Sequence, residues 1–177
     1  MAATRLPPDR AEAAARAARI RLVAMDVDGT LTDGAIMIGS GGELFKRFSV
    51  RDGLGLRLLA DAGIELAIVT GRESKIVAQR AGELGIGRVH QGVADKGGVL
   101  ESLCRDLGVD VSRAAFVGDD WPDLAAMRIC GFAAAPADAE PAVIACAHWV
   151  APRPGGKGAM RDIAEFILRA QGLLELP

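Results

Sequence analysis

Two aspartates sit almost side by side where an apolar run stops. In "VAMDVDGTLTDG", Asp26 and Asp28 flank Val27, and Gly29 follows at once. Like charges this close repel, so a chain that keeps both has a cation, a proton or an anion chemistry to run. Other short apolar runs also end on reactive groups. "ELAIVTGR" ends on Thr70 and Gly71, and "AAFVGDD" ends on Asp119 and Asp120. Lys96 follows the short run "RVH", where a helix should begin. If these ends meet, Asp26, Asp28, Asp119 and Asp120 crowd one crevice and need a cation. Oxygen ligands with open positions suit Mg²⁺, which keeps waters and bridges to phosphate. The plainer reading of Asp120, just before "WPDL", is a helix N-cap. Two caps do not account for the Asp26–Asp28 pair.

A carboxylate beside magnesium can attack phosphorus and form an aspartyl phosphate. A second carboxylate two residues on can protonate the leaving oxygen and then deprotonate the attacking water. Alternate residues of an extended strand share a face, so both can address one substrate. Thr70 offers a hydroxyl, and the N–H groups around Gly71 suit phosphoryl oxygens at a helix start. Lys96 would neutralise the nucleophile and the transferring group. The competing fate of Lys96 is a solvated surface lysine. Its place at the same end of the sheet argues for the site.

The elements must bring these ends together. "IRLVAMD", "ELAIVT", "RVH" and "AAFVGDD" read as buried strands. "DGLGLRLLADAG", "ESKIVAQRAGELG", "KGGVLESLCRDLG", "PDLAAMRIC" and "GAMRDIAEFILRAQG" read as helices between and after them. This alternation predicts an α/β, doubly wound, Rossmann-like parallel sheet with right-handed crossovers. "GFAAAPADA" and "HWV" read as short edge strands. "AIMIGSGGELFKRF" reads as a hairpin turning at Ser40–Gly42. Residues 1–20 are expected to form a leader helix starting near Asp9, and 21–177 a single domain. Ligands bind such sheets at the carboxyl ends of the strands, where the reactive residues lie.

Composition narrows the class. The chain has 177 residues, half of them apolar, and a formal net charge of −2. That excludes a disordered polymer and gives no basis for binding nucleic acid or an anionic membrane. The three cysteines, Cys104, Cys130 and Cys146, form no Cys-x-x-Cys pair and are expected to be reduced. The first residues have no long apolar core typical of a secretory signal, and no run is long enough to span a bilayer. The expected setting is cytoplasmic.

Four motifs in order resemble the haloacid dehalogenase (HAD) superfamily of phosphotransferases: "DVDGT", "VTG", Lys96 and "GDDWPD". "FSVRDGLGLRLL", "TGRES", "QGVADK", "VGDDWPDL", "APADA" and "GGKGAMRD" narrow the resemblance to its small phosphatases of 3-deoxy-D-manno-octulosonate 8-phosphate. The likeness runs from about Arg21 to Gly172. Thr30 stands where that subfamily has Val or Met, and Ala125–Ala126 where it often has Pro-x.

The resemblance implies hydrolysis of that phosphorylated sugar acid for lipopolysaccharide precursor synthesis. It makes Asp26 the nucleophile and Asp28 the acid/base. It gives Mg²⁺ to the side chains of Asp26 and Asp119 and the carbonyl of Asp28, with Asp120 and Asp123 supporting the metal and Lys96. Arg72 and Arg80 match residues implicated in substrate contact, and Arg is shaped to grip a carboxylate. Lys157 and Arg161 would reach a neighbouring site. His90, His148, Trp121 and Trp149 read as structural. The segments between motifs hold no cap domain. Capless relatives close their sites by forming a homotetramer, which fits the apolar Ile36, Met37, Ile38 and Phe45 of the hairpin.

Three rival readings follow. A phosphatase of a nine-carbon sugar acid 9-phosphate shares every motif. A phospho-accepting receiver carries its nucleophile on the third strand, and "RVH" ends without an aspartate. A non-catalytic scaffold has no need of the intact reactive positions seen here.

Overall fold

The computed structural model describes residues 10–174. The elements in chain order begin with α1 (Arg10–Ala17), β1 (Leu22–Met25), β2 (Met37–Gly39), β3 (Gly42–Phe45) and α2 (Val50–Asp61). Next come β4 (Glu65–Val69), α3 (Lys75–Leu84), β5 (Arg88–His90), α4 (Lys96–Leu107) and β6 (Ala114–Val117). The chain finishes with α5 (Leu124–Ile129), β7 (Phe132–Ala135), α6 (Pro141–Cys146), β8 (Trp149–Val150) and α7 (Ala159–Ala170). Short 3₁₀ turns at Val111–Arg113 and Trp121–Asp123 bracket β6.

The main sheet is parallel, in the order β5-β4-β1-β6-β7-β8. β1 lies in the middle and is apolar on both faces, as a central parallel strand must be. Val23 and Met25 point into the core shared with α1, α2, α3 and α7. Leu22 and Ala24 point into the opposite core, with α4, α5 and α6. From β1 the chain builds outward to β4 and β5 on one side, then returns to lay β6, β7 and β8 on the other. A crevice opens where the order reverses, at the carboxyl ends of β1 and β6.

Local chemistry sets the helix limits. Ser49, Ser74 and Asp95 accept backbone N–H groups at the starts of α2, α3 and α4. Gly85 and Gly108 end α3 and α4 in the left-handed conformation. α7 starts at Gly158, which has no side chain to cap it. Asp52 of α2 does this work from a distance. Its carboxylate accepts from Gly158 N at 3.2 Å and Arg161 N at 2.9 Å. Burial raises the Asp52 pKa, although those two donors pull it down.

Several expectations need correction. Among the described residues β5 and β8 are the edges of the main sheet, and β7 is an inner strand, fully buried between β6 and β8. Its small alanines let helices approach both faces, a packing that composition alone does not reveal. α6 was not expected. It starts on Pro141, which suits a first turn. α1 is more than a surface leader. Ala13 and Ala17 are buried in the main core, and Gln171 donates to Ala17 O and Ile20 O at 3.1 and 2.9 Å. Asp9 lies outside the described residues.

The hairpin forms as β2–β3, with a register shift at Met37/Ile38. No disulfide joins the three cysteines. Among the described residues, no helix is long and apolar enough to cross a membrane.

Candidate active site

Asp26 follows β1, and its N–H donates to Val117 O at 2.9 Å. That bond carries the β1–β6 pairing one residue further and fixes Asp26 at the crevice. Lys96, the first residue of α4, places Nζ 3.1 Å from Asp26 Oδ2 and 2.6 Å from Asp123 Oδ1. Lys96 and Asp123 are both buried. The other oxygen of Asp123 accepts from Asp119 N at 2.9 Å and Asp120 N at 3.1 Å. Asp123 thus shapes the turn after β6 and holds the lysine. Asp119 Oδ1 accepts from the Thr30 hydroxyl at 2.8 Å.

Carboxylate oxygens of Asp26, Asp119 and Asp123 lie within 4.8 Å of one another. One lysine faces three acids. Burial, then the charge of Asp123, lifts Asp26 to about 6 against the pull of Lys96. Burial lifts Asp119 to about 7 against the Thr30 hydrogen bond, and the neighbouring acids add to the rise. Burial opposes the charge of Lys96, but Asp26 and Asp123 offset this and raise its pKa. Asp26 Oδ1 is buried and finds no hydrogen-bond partner among the described residues. A buried carboxylate oxygen left bare is costly unless a cation takes it. The donor set is all oxygen and short of positive charge, which fits Mg²⁺.

Two glycines allow this crowding. Gly29 has φ +92°, and a Cβ there would lie 2.0 Å from Asp119 Oδ2. A Cβ on Gly118 would lie 2.3 Å from Asp123 Cγ.

Asp28 points at cations from elsewhere in the chain. One oxygen lies 2.5 Å from Lys46 Nζ, and the other 3.7 Å from Arg72 Nε. Lys46 also lies 2.9 Å from Glu43 Oε1, and Glu43 accepts from Ser74 Oγ. Lys46 was not singled out in the sequence. It is one of two adjacent cations after the hairpin, with no spacing to betray its target. Thr70 is buried at the end of β4, beside β1, and its backbone pairs with His90 O at 2.9 Å and Val93 N at 3.1 Å. Gly71 follows it and is exposed.

Not all of the expected residues join the acidic cluster. The Asp120 carboxylate caps the turn Trp121–Asp123, accepting from Trp121 N at 2.7 Å. Trp121 is 68% exposed and so is not a packing residue. Trp149 is, with its ring stacked 4.6 Å from Phe166. His148 Nδ1 accepts from Ala133 N at 2.8 Å, which is a structural role. Arg80 lies over Phe48 and pairs with Glu83 at 3.0 Å. Arg161 pairs with Glu165 at 2.6 Å on its own helix. Lys157 is exposed on a loop that packs against the β1 loop, with Gly156 N donating to Thr30 O at 3.2 Å. Among the described residues, Arg80, Lys157 and Arg161 make no ion pair with the acidic cluster. The cluster also stands apart from a hollow of about 410 Å³ lined by Arg10, Trp149, Phe166 and Arg169.

Residues 42–131 match the haloacid dehalogenase-like hydrolase family. The chain is 42% identical over 173 residues to the 3-deoxy-D-manno-octulosonate 8-phosphate phosphatase KdsC of Escherichia coli K12, covering 98% of this chain and 92% of that one. It is 43% identical to the Yersinia pestis KdsC over 160 residues, covering 90% and 86%. The crystal structure of the Yersinia pestis phosphatase superposes with a TM-score of 0.89 at 41% identity, covering 92% of this chain and 88% of that one. The Moraxella catarrhalis phosphatase, solved with magnesium, phosphate and KDO, also has a TM-score of 0.89 at 45% identity, covering 91% and 92%.

Proposed function

Because the chain belongs to the haloacid dehalogenase-like hydrolases, we propose that it is a magnesium-dependent phosphatase of 3-deoxy-D-manno-octulosonate 8-phosphate. The products are the free sugar acid and inorganic phosphate. The carrying observation is the buried Asp26, whose Oδ2 meets Lys96 and whose carboxylate clusters with Asp119 and Asp123, in a chain that aligns over nearly its full length with phosphatases of this substrate.

Asp26 is the nucleophile. Its oxygen forms a bond to phosphorus while the bond to the sugar oxygen breaks. Asp28 gives its proton to that leaving oxygen. Water then attacks phosphorus on Asp26, Asp28 takes a proton from it, and phosphate and the free carboxylate result. Lys96 neutralises charge on Asp26 and on the phosphoryl group, and Asp123 keeps Lys96 in place. Thr70 and the backbone at Gly71 receive phosphoryl oxygens. Asp26, Asp119 and the Asp28 carbonyl would hold Mg²⁺, which would supply positive charge at the phosphoryl group. Asp120 braces the turn that carries Asp119.

Arg72 is half exposed and free to turn its fork to the sugar carboxylate. Arg80, Lys157 and Arg161 serve the substrate only where a neighbouring copy brings them near. The exposed hairpin residues Ile36, Met37, Ile38, Leu44 and Phe45 suit burial in a homotetramer that covers this open site. The enzyme works in the cytoplasm, in lipopolysaccharide precursor synthesis.

The test is magnesium-dependent phosphate release from a panel of sugar phosphates. A strong preference for the eight-carbon acid is expected. Preference for a nine-carbon acid would overturn the substrate and keep the chemistry. No release from any of them would overturn the enzyme.

A further inference from the structure

We propose that Lys46 is a positioning residue that fixes the Asp28 carboxylate, so that the hairpin sets the geometry of proton transfer. This rests on the phosphatase reading above. Asp28 lies beyond the end of β1, where no strand partner holds its side chain. Its oxygens meet Lys46 at 2.5 Å and Arg72 at 3.7 Å. The Arg72 contact is longer than a hydrogen bond, and its side chain is 49% exposed. Lys46 is different, with a side chain 1% exposed.

A lysine buried this deeply needs partners, because its charge has left water. Lys46 has two, Asp28 and Glu43. Glu43 is tied in turn to the hydroxyl of Ser74, which caps α3 by accepting from Val77 N at 3.3 Å. A continuous polar chain therefore runs from the start of α3 through the hairpin to Asp28. The apolar side chains of the hairpin stay exposed and do not anchor it to its own domain. This polar end ties the hairpin to the domain, together with the Arg47–Asp33 pair, and it closes on Asp28.

Geometry matters at this atom. When Asp26 bonds to phosphorus and the ester bond breaks, the proton on Asp28 passes to the departing oxygen. Water later returns a proton to Asp28. Both transfers need the carboxyl within hydrogen-bond reach of the oxygen concerned. A carboxylate released from Lys46 is free to swing to Arg72 or to solvent.

The experiment compares Lys46→Met, Lys46→Arg and Glu43→Gln with wild type on p-nitrophenyl phosphate and phenyl phosphate. These substrates are similar in size but differ in how much their leaving oxygen needs a proton. For Lys46→Met, kcat/KM should fall about a hundredfold on phenyl phosphate and only about threefold on p-nitrophenyl phosphate. Lys46→Arg should recover part of the loss, and Glu43→Gln should fall between. Equal loss on both substrates, or no loss, overturns the proposal. So does a rise in KM for the sugar phosphate alone, which would make Lys46 a substrate ligand. If Lys46→Met fails to fold, the other two variants decide, and an unchanged leaving-group dependence in both overturns the idea. A wild type active on aryl phosphates but not on the sugar phosphate would remove only the substrate assignment. A wild type that hydrolyses nothing would remove both.

Discussion

The Thr30 hydroxyl donates to Asp119 Oδ1 across 2.8 Å, joining the loop after β1 to the turn after β6. This bond orients one carboxylate of the acidic cluster and favours its charged form. Thr30→Val keeps the shape and deletes the donor. Magnesium affinity, measured by calorimetry, should drop about tenfold, as when a metal ligand loses its supporting hydrogen bond. Unchanged affinity would mean that Asp119 needs no such support.

Proton uptake should oppose metal binding. In the metal-free protein burial and the neighbouring acids push Asp119 up to about 7 and Asp26 up to about 6, each from the ordinary carboxylate value of 3.8. The native state therefore holds protons that the unfolded chain has already released. The stability linked to these groups is present at low pH and lost as pH rises through about 4 to 7. Magnesium affinity should move the other way and rise between about pH 5.5 and about pH 8. Calorimetry in buffers of different ionisation enthalpy should show proton release on binding. No release near neutral pH would contradict the raised values.

Asp119→Asn should exchange function for stability. It removes a carboxylate whose charge is disfavoured in the metal-free site. At pH 8 the metal-free variant should unfold later than wild type, by about 2 kcal/mol once partial solvent exposure is discounted. Stabilisation by magnesium and phosphatase turnover should both vanish. A less stable variant would show that the hydrogen bond outweighs the crowding.

Asp26→Asn should abolish turnover and leave a folded domain, because an amide cannot carry the phosphoryl group. Residual wild-type activity on clean protein would remove Asp26 as nucleophile.

Gly29→Ala is a test of space. Its methyl would sit on the Asp119 carboxylate, at a backbone conformation with φ +92°. Destabilisation should exceed about 1 kcal/mol, and metal affinity should fall with it. A variant with normal thermal unfolding and normal metal affinity would refute the close approach.

Much of the site could be read from the sequence because its chemistry sits where apolar runs stop. Asp26, Thr70 and Asp119 end runs that could only be buried strands, and the alternating helices bring those ends together. Lys96 could be placed because it opens a helix. What the sequence hid was long-range. Nothing in "LFKRF" shows that Lys46 reaches Asp28, and nothing in "VRDGL" shows that Asp52 caps α7. Asp120 carried two readings, and the cap at Trp121 N is the geometry found. The alanines of β7 lack the branched side chains that mark an inner strand, so the segment read as an edge. Trp121 looked like packing because tryptophan usually is, yet its ring faces solvent.

The place of β1 also bears on how the chain is made. β1 precedes both of its partners in the chain, so it can pair with β4 on one side while its other edge stays open until β6 is made. That late partner carries Asp119 and Asp123 with it. The acids therefore cannot gather around a cation during early synthesis, and Lys96 finds both of its carboxylates only after β6 has docked. Still later, Gly156 closes against Thr30, and Asp52 of α2 waits for α7. A nascent chain halted before β6 would be an unfinished sheet with an exposed central strand, prone to pair with another chain and unable to bind metal.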